Sequence, residues 1–228
     1  MAAVLIAGMV CLGLAGDYVY FGEMRQTLSV NQGLFVPPVA GLIGGVAGGC
    51  FYRLMLSAGR TPFQPVAWLR SRPVLFAGIC GMTVAILGVA RGLTWDTGCQ
   101  TAHDVIAGYD VPLRFGAAKF LATLATALGL PGGIFAPSLS VGAGIGDMLR
   151  SIFPAYPPGA VVLLGMVACF TGVVRAPLMA VIIISETTAS RGLMMPLLGA
   201  ALMGDFAAKF VSKEKLYHGL TQRFAAVK

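Results

Sequence analysis

Uncharged apolar runs separated by short polar connectors organise this chain, and they predict a series of helices. Residues 1–16 are apolar and carry no charge. Apolar runs follow at 33–52 and 73–90, the second closed by Arg91. The run 120–146 is interrupted by Pro131, Gly132, Gly133 and Pro137, and the run 151–174 is broken at Pro154, Pro157 and Pro158. Two shorter pieces, 176–185 and 192–204, are separated by Glu186 and Arg191. Between these runs lie a basic connector at 53–72, with Pro62 and Pro65 as breakers, and a polar loop at 92–112 with Asp96, Asp104 and Asp110. The tail, 205–228, reads as amphipathic and basic.

The run lengths carry information of their own. A helix crossing a bilayer takes about 20 residues, whereas several runs here are shorter or carry Gly and Pro in mid-segment. Non-helical backbone at membrane depth survives only where it is buried in protein or lines a polar cavity. Short, broken helices meeting at the midplane mark transporters. The expected fold class is therefore all-α: a multi-pass membrane protein with short, tilted and broken helices. An ion or solute pathway is favoured over a plain anchor. Residues 1–16 lack the basic n-region of a signal peptide and are short for a full span, as a helix missing its beginning would be.

Composition supports a bilayer as solvent. Of 228 residues, 57% are hydrophobic and only 11% charged, against about 25% charged in an ordinary soluble domain. The 31 glycines show no three-residue period, which excludes collagen, and the apolar content excludes disorder. The net charge of +7 would suggest nucleic acid in a soluble protein, but the basic residues fall between apolar runs with no aromatic interleaving. They read as topology signals, and no nucleic-acid partner is expected. The connector, with Arg53, Arg60, Arg70 and Arg72 and no acid, is expected to be cytoplasmic. The tail, with Lys209, Lys213, Lys215, Arg223 and Lys228, is expected on the same side. Five cysteines (Cys11, Cys50, Cys80, Cys99, Cys169) are odd in number and widely spaced, and four sit in apolar context, so they read as small core residues rather than a disulfide frame or metal site. His103 and His218 are too far apart to suggest zinc.

The most distinctive stretch is 130–146, L-P-G-G-I-F-A-P-S-L-S-V-G-A-G-I-G. It reads as a tight glycine turn inside the membrane followed by a helix. Pro137 is tolerated in a first turn, where a missing N–H is harmless. Gly142, Ala143, Gly144 and Gly146 permit close helix packing. A helix start leaves unpaired amides and a partial positive charge. Aimed into a low-dielectric cavity, these hold an anion without a charged side chain. The other reading is a packing motif of small residues with no ligand.

The block G-I-F-A-P at 133–137, followed by S-L-S-V-G-A-G-I-G, resembles the signature of the CLC chloride channel and chloride/proton antiporter family. In that family the two residues after the glycines donate backbone N–H groups to chloride. The resemblance places that role on Ile134 and Phe135, with Gly133 beside them. Further similar blocks follow in order: R-A-P-L at 175–178, E-T-T at 186–188 where the family has E-M-T, and L-M-M-P-L at 193–197. Lys215-Leu216-Tyr217 is similar to the segment that supplies a chloride-coordinating tyrosine, which implies that role for Tyr217. A phenol O–H is an anion donor that carries no charge. The implied fold is the second half of a CLC-type inverted repeat. The implied activity is chloride transport, as a channel or a chloride/proton antiporter and not an enzyme, with chloride as ligand and no cofactor.

Two family motifs are not found: G-S-G-I-P, whose serine is an inner chloride ligand, and G-R-E-G-P, whose glutamate gates the pathway. The chain resembles the family's second half plus one preceding helix. The expectation is a single transmembrane domain over 1–228, in which 1–16 is a truncated first helix and 205–228 a basic cytoplasmic segment. The family's dimer helices correspond to segments near 1–16 and 176–204, so a homodimer in the lipid bilayer is expected only if the chain folds. A second reading is a split or truncated subunit inactive without a separate N-terminal half. Glu186 reads as a structural member of its helix rather than a proton relay. Arg175 reads as a loop residue paired locally, and Asp147 and Arg150 as interfacial. Lys119 reads equally as an anion-attracting or a snorkelling side chain.

Overall fold

A computed structural model describes residues 2–16, 19–22, 24, 28, 32–60, 71–92, 98–109, 111–112, 115–129 and 133–212. Among these residues all regular structure is helical. The helices are α1 (Ala2–Ala15), α2 (Gln32–Arg60), α3 (Pro73–Arg91), α4 (Cys99–Ala107), α5 (Phe115–Gly129), α6 (Phe135–Ile152), α7 (Pro158–Val174), α8 (Pro177–Thr187) and α9 (Met194–Val211). A 3-10 turn, Arg191–Leu193, leads into α9. Proline opens α3, α7 and α8, where its fixed φ suits a first turn and its missing N–H leaves no bond unmade.

The fold is built around α7. This helix is apolar on every side, and each residue from Gly159 to Val174 is buried, as expected of a helix surrounded by others. Helices α2, α6 and α9 pack along it most extensively, with α4 and α8 against its ends; α5 lies on α6, and α3 on α5. Where helices cross, small residues face the interior and larger ones the outside, although Tyr52, Phe51 and Phe170 are also fully buried. On α2, Val36, Ala40, Gly44 and Gly48 face inward while Phe35, Val39, Leu42, Ile43 and Val46 are exposed. Burial of large apolar side chains gives helices in lipid no net advantage, so backbone approach through small residues holds them together. The α2/α9 crossing shows how close this is: a Cβ on Gly41 would meet the Met203 Cβ at 2.6 Å, and one on Gly45 would overlap the Gly204 backbone.

Among the described residues, three helices are long and apolar enough to cross a membrane: Phe35–Ser57, Pro73–Ala90 and Arg191–Val211. Shorter apolar helices accompany them, α1, α5, α7 and α8 among them. The run 120–146 divides, as its Pro-Gly-Gly break implies, into α5 and α6. Three boundaries differ from the sequence reading. The apolar run 33–52 does not stop at Tyr52; α2 continues to Arg60 because Phe51, Tyr52, Met55 and Leu56 bury one face of the extension. The polar loop 92–112 contains α4, whose Thr101, Ala102, Val105 and Ile106 form a buried stripe at helical spacing. The last apolar run passes Gly204 and continues through Asp205 to Val211.

Among the described residues between α1 and α2, the chain is tied to α8 by two backbone bonds. The amide of Phe21 donates to the Thr187 carbonyl and that of Met24 to the Thr188 carbonyl, both at 2.9 Å, and the Phe21 side chain is fully buried. These bonds occupy carbonyls at the C-terminal end of α8, which a helix leaves without internal partners.

Candidate functional site

The glycine-rich motif forms the start of α6. Ile134 occupies the N-cap position and Phe135 is the first helical residue; no side chain caps this end. Among the described residues, the first amide bonded back along the chain is that of Ser138, which donates to the Ile134 carbonyl at 3.0 Å. Helix geometry leaves the amides before it without an intrahelical acceptor, and Pro137 has none to offer. An 18-residue helix thus opens with its amides and positive dipole end presented. Gly133 is exposed, and no heavy atom of the described residues lies within 4 Å of where its Cβ would stand. Ile134 is partly buried against the core, and Phe135 is 37% exposed with its ring against Phe170 of α7, centroids 5.6 Å apart.

The neighbouring hydroxyls are turned inward onto their own helix. Ser138 Oγ donates to the Phe135 carbonyl at 2.7 Å and Ser140 Oγ to the Ala136 carbonyl at 3.3 Å. Among the described residues of this turn, the donors left to meet a ligand are therefore backbone amides. No Asp or Glu occurs between Asp110 and Asp147, so α5 and the first turns of α6 add no negative charge. Close packing keeps the helix end in place: a Cβ on Gly116 of α5 would stand 2.9 Å from the Gly144 carbonyl, and one on Gly142 would stand 2.9 Å from Met166 Cα of α7. A fixed, uncapped, positive helix end with no acid in its own first turns or on α5 is chemically suited to a small anion.

The structure brings Gly133, Ile134 and Phe135 together at this end; Tyr217 lies outside the described residues. Phe170 was not foreseen, because nothing in one sequence couples position 135 to a helix that begins 23 residues later. Lys119 is 2% exposed. It does not snorkel: its Nζ comes within 3.0 Å of a Cβ position on Gly98, the residue capping α4, so it lies in the α4/α5/α6 junction. Arg175 does pair locally. It adopts a left-handed conformation between α7 and α8, and its Nε lies 3.2 Å from Asp205 Oδ1. Asp147 and Arg150 form an ion pair at 3.6 Å near the far end of α6. Glu186 is exposed near the end of α8. Among the described residues no group of His, Cys, Asp and Glu is placed to hold a metal. The five cysteines are free; Cys80 and Cys169 are core residues as expected, whereas Cys11 is exposed.

Known proteins share both the sequence pattern and the fold of this chain. A family model described as voltage gated chloride channel matches residues 1–209. The chain is 29% identical over 201 residues to the H(+)/Cl(-) exchange transporter ClcA of Klebsiella pneumoniae (strain 342), covering 81% of this chain and 42% of that one. It is 29% identical over 231 residues to ClcA of Yersinia pestis bv. Antiqua (strain Angola), covering 92% and 47%. The fold also resembles the crystal structure of a CLC-type fluoride/proton antiporter, with a TM-score of 0.71 at 21% identity, over 87% of this chain and 49% of that one. The chain spans less than half the length of the curated relatives it matches. With its broken, glycine-packed membrane helices and a family match over most of its length, the chain belongs to the voltage gated chloride channel family.

Proposed function

We propose that this chain contributes one side of a transmembrane chloride pathway, as part of a channel or a chloride/proton antiporter. The amides of Ile134 and Phe135 hold the anion, Gly133 keeps the approach open, and the Tyr217 hydroxyl supplies a further, uncharged donor. The observation that carries this reading is the uncapped start of α6, whose nearest serine hydroxyls bond back to their own helix. Holding an anion by dipoles rather than by a lysine or arginine suits transport, because binding must be weak enough for the ion to leave. The basic connector and tail would then face the cytoplasm, and two copies would assemble as a homodimer.

The test is chloride binding and flux. Isothermal titration of the purified chain with chloride, alongside chloride efflux from liposomes, is expected to report both occupancy and transport. Efflux that appears only when a separate N-terminal half is supplied would assign the activity to the pair. Absence of chloride binding in either setting would overturn the assignment of the α6 end.

A further inference from the structure

The far end of α6 carries a second feature that the chloride reading does not use. A cavity of about 290 Å³ opens there, lined by Gly108, Arg150, Ser151, Pro154, Tyr156 and Pro158. Its walls come from the C-terminal ends of α4 and α6, the turn between α6 and α7, and the first residue of α7. The charge-free stretch ends just before it, at Asp147 and Arg150. By helix rise, Arg150 lies about 22 Å along the axis from Phe135, at the edge of the apolar region rather than within it.

The polar groups on these walls favour an anionic oxygen ligand. The Arg150 side chain is one-fifth exposed, and among its contacts Nε lies 3.6 Å from Asp147 and Nη1 donates to the Gly108 carbonyl at 3.4 Å. A guanidinium carries five N–H donors in a planar fork suited to phosphate. Ser151 and Tyr156 add hydroxyls, and the positive end of α7 faces the same turn. The turn is stiff, with Pro154, Pro157 and Pro158, and is pinned by the Phe153 amide on the Leu149 carbonyl at 3.0 Å and the Tyr156 amide on the Phe153 carbonyl at 3.2 Å. The Phe153 and Tyr156 rings meet edge to face, 5.7 Å between centroids, which fixes the phenol. The pocket is thus formed before any ligand arrives.

What lies beside it names the source of the anion. Met148 and Ile152 are 42% and 61% exposed, and at i and i+4 they form one apolar stripe down α6 with Ser151 next to it. A headgroup seated on Arg150, Ser151 and Tyr156 would place its acyl chains along that stripe. We propose that this pocket binds the phosphate of a membrane phospholipid. Basic pockets between membrane helices are suited to such headgroups.

The test uses the purified chain in a sugar-based detergent with three probes: phosphatidylglycerol, diacylglycerol of the same acyl chains, and inorganic phosphate. Bound ligand is read by native mass spectrometry and by the thermal unfolding midpoint. Phosphatidylglycerol is expected to bind one copy per chain and raise the midpoint, with no response to diacylglycerol or to millimolar phosphate. The S151A/Y156F double variant is expected to keep the unliganded midpoint and weaken the lipid about tenfold, which is 1.4 kcal/mol. Arg150→Gln is expected to weaken it further, and Ile152→Asn to weaken the lipid without creating a response to phosphate. Equal binding of phosphatidylglycerol and diacylglycerol, or lipid binding indifferent to all three variants, would overturn the proposal. Inorganic phosphate binding as tightly as the lipid would overturn the lipid assignment in favour of a soluble anion.

Discussion

Arg175 and Asp205 join three helices through one contact. Arg175 terminates α7 in a left-handed conformation with φ of 63° and ψ of 36°, and its Nε lies 3.2 Å from Asp205 Oδ1 on α9. Its Nη1 also donates to the Asp205 main-chain carbonyl at 3.1 Å. Since α8 begins two residues later, this pair sets the angle at which the chain leaves α7. The Arg175 side chain is 5% exposed and that of Asp205 17%, so removing either partner strands a largely buried charge. Arg175→Ala is expected to destabilise the fold by about 3–5 kcal/mol. Lys209, whose Nζ lies 2.8 Å from Asp205 Oδ2 but whose side chain is 59% exposed, is expected to matter by no more than about 1 kcal/mol when replaced by alanine. Arg175→Gly relieves the left-handed backbone but loses the pair, so it should fall between the two. Unfolding midpoints in detergent rank the three variants.

A second prediction separates glycines that pack from glycines that do not. A Cβ on Gly48 of α2 would collide with the Cys169 carbonyl of α7, and one on Gly45 with the Gly204 backbone. Main chain on both sides leaves no flexible atom to yield, so Gly48→Ala is expected to cost at least about 1–3 kcal/mol through overpacking. Gly78 and Gly81 of α3 have nothing within 4 Å of a Cβ. There the same substitution is expected to stabilise by up to about 1 kcal/mol through helix propensity. Opposite signs for Gly48→Ala and Gly78→Ala in one thermal-unfolding series are the result to look for.

The segment before α2 gives a third. Phe21 is fully buried, and its amide is bonded to Thr187 at the end of α8. Phe21→Ala is expected to cost about 3–5 kcal/mol. It should also speed proteolytic cleavage near residues 19–24, since the backbone bonds to Thr187 and Thr188 depend on that anchor. An unchanged cleavage rate would show that the two backbone bonds hold the segment without the ring.

Much of this architecture was legible because prolines and glycines punctuate the apolar runs. Pro73, Pro158 and Pro177 open the helices they head, and Pro131-Gly132-Gly133 separates α5 from α6. Helix α4 was not read, because its stripe of Thr101, Ala102, Val105 and Ile106 is short and sits among acids that suggested a loop. The burial of Lys119 was not legible either. It depends on Gly98 and Ser140 reaching the same spot from α4 and α6, a tertiary coincidence with no local periodicity. At the candidate site, the motif indicated which residues begin the helix. That both serines spend their hydroxyls on their own helix could be seen only in the fold, and it is what leaves the amides as the donors.

The amide reading of the site can be tested by a substitution that removes an N–H while keeping the helix. Phe135 is the first residue of α6, a position where proline's fixed φ is accommodated and where no intrahelical bond is lost. Phe135→Pro deletes both the amide donor and the phenyl ring; Phe135→Ala deletes the ring alone. A hydrogen bond to an ion is worth about 1.5–3 kcal/mol, and about 1.4 kcal/mol is a tenfold change in affinity. Phe135→Pro is therefore expected to weaken chloride binding by about tenfold or more relative to Phe135→Ala. The ring's contact with Phe170 is lost in both, so it cancels from the comparison. If the two variants bind chloride equally while retaining the same helical content by circular dichroism, the amide of Phe135 does not hold the ion, and the pathway runs elsewhere.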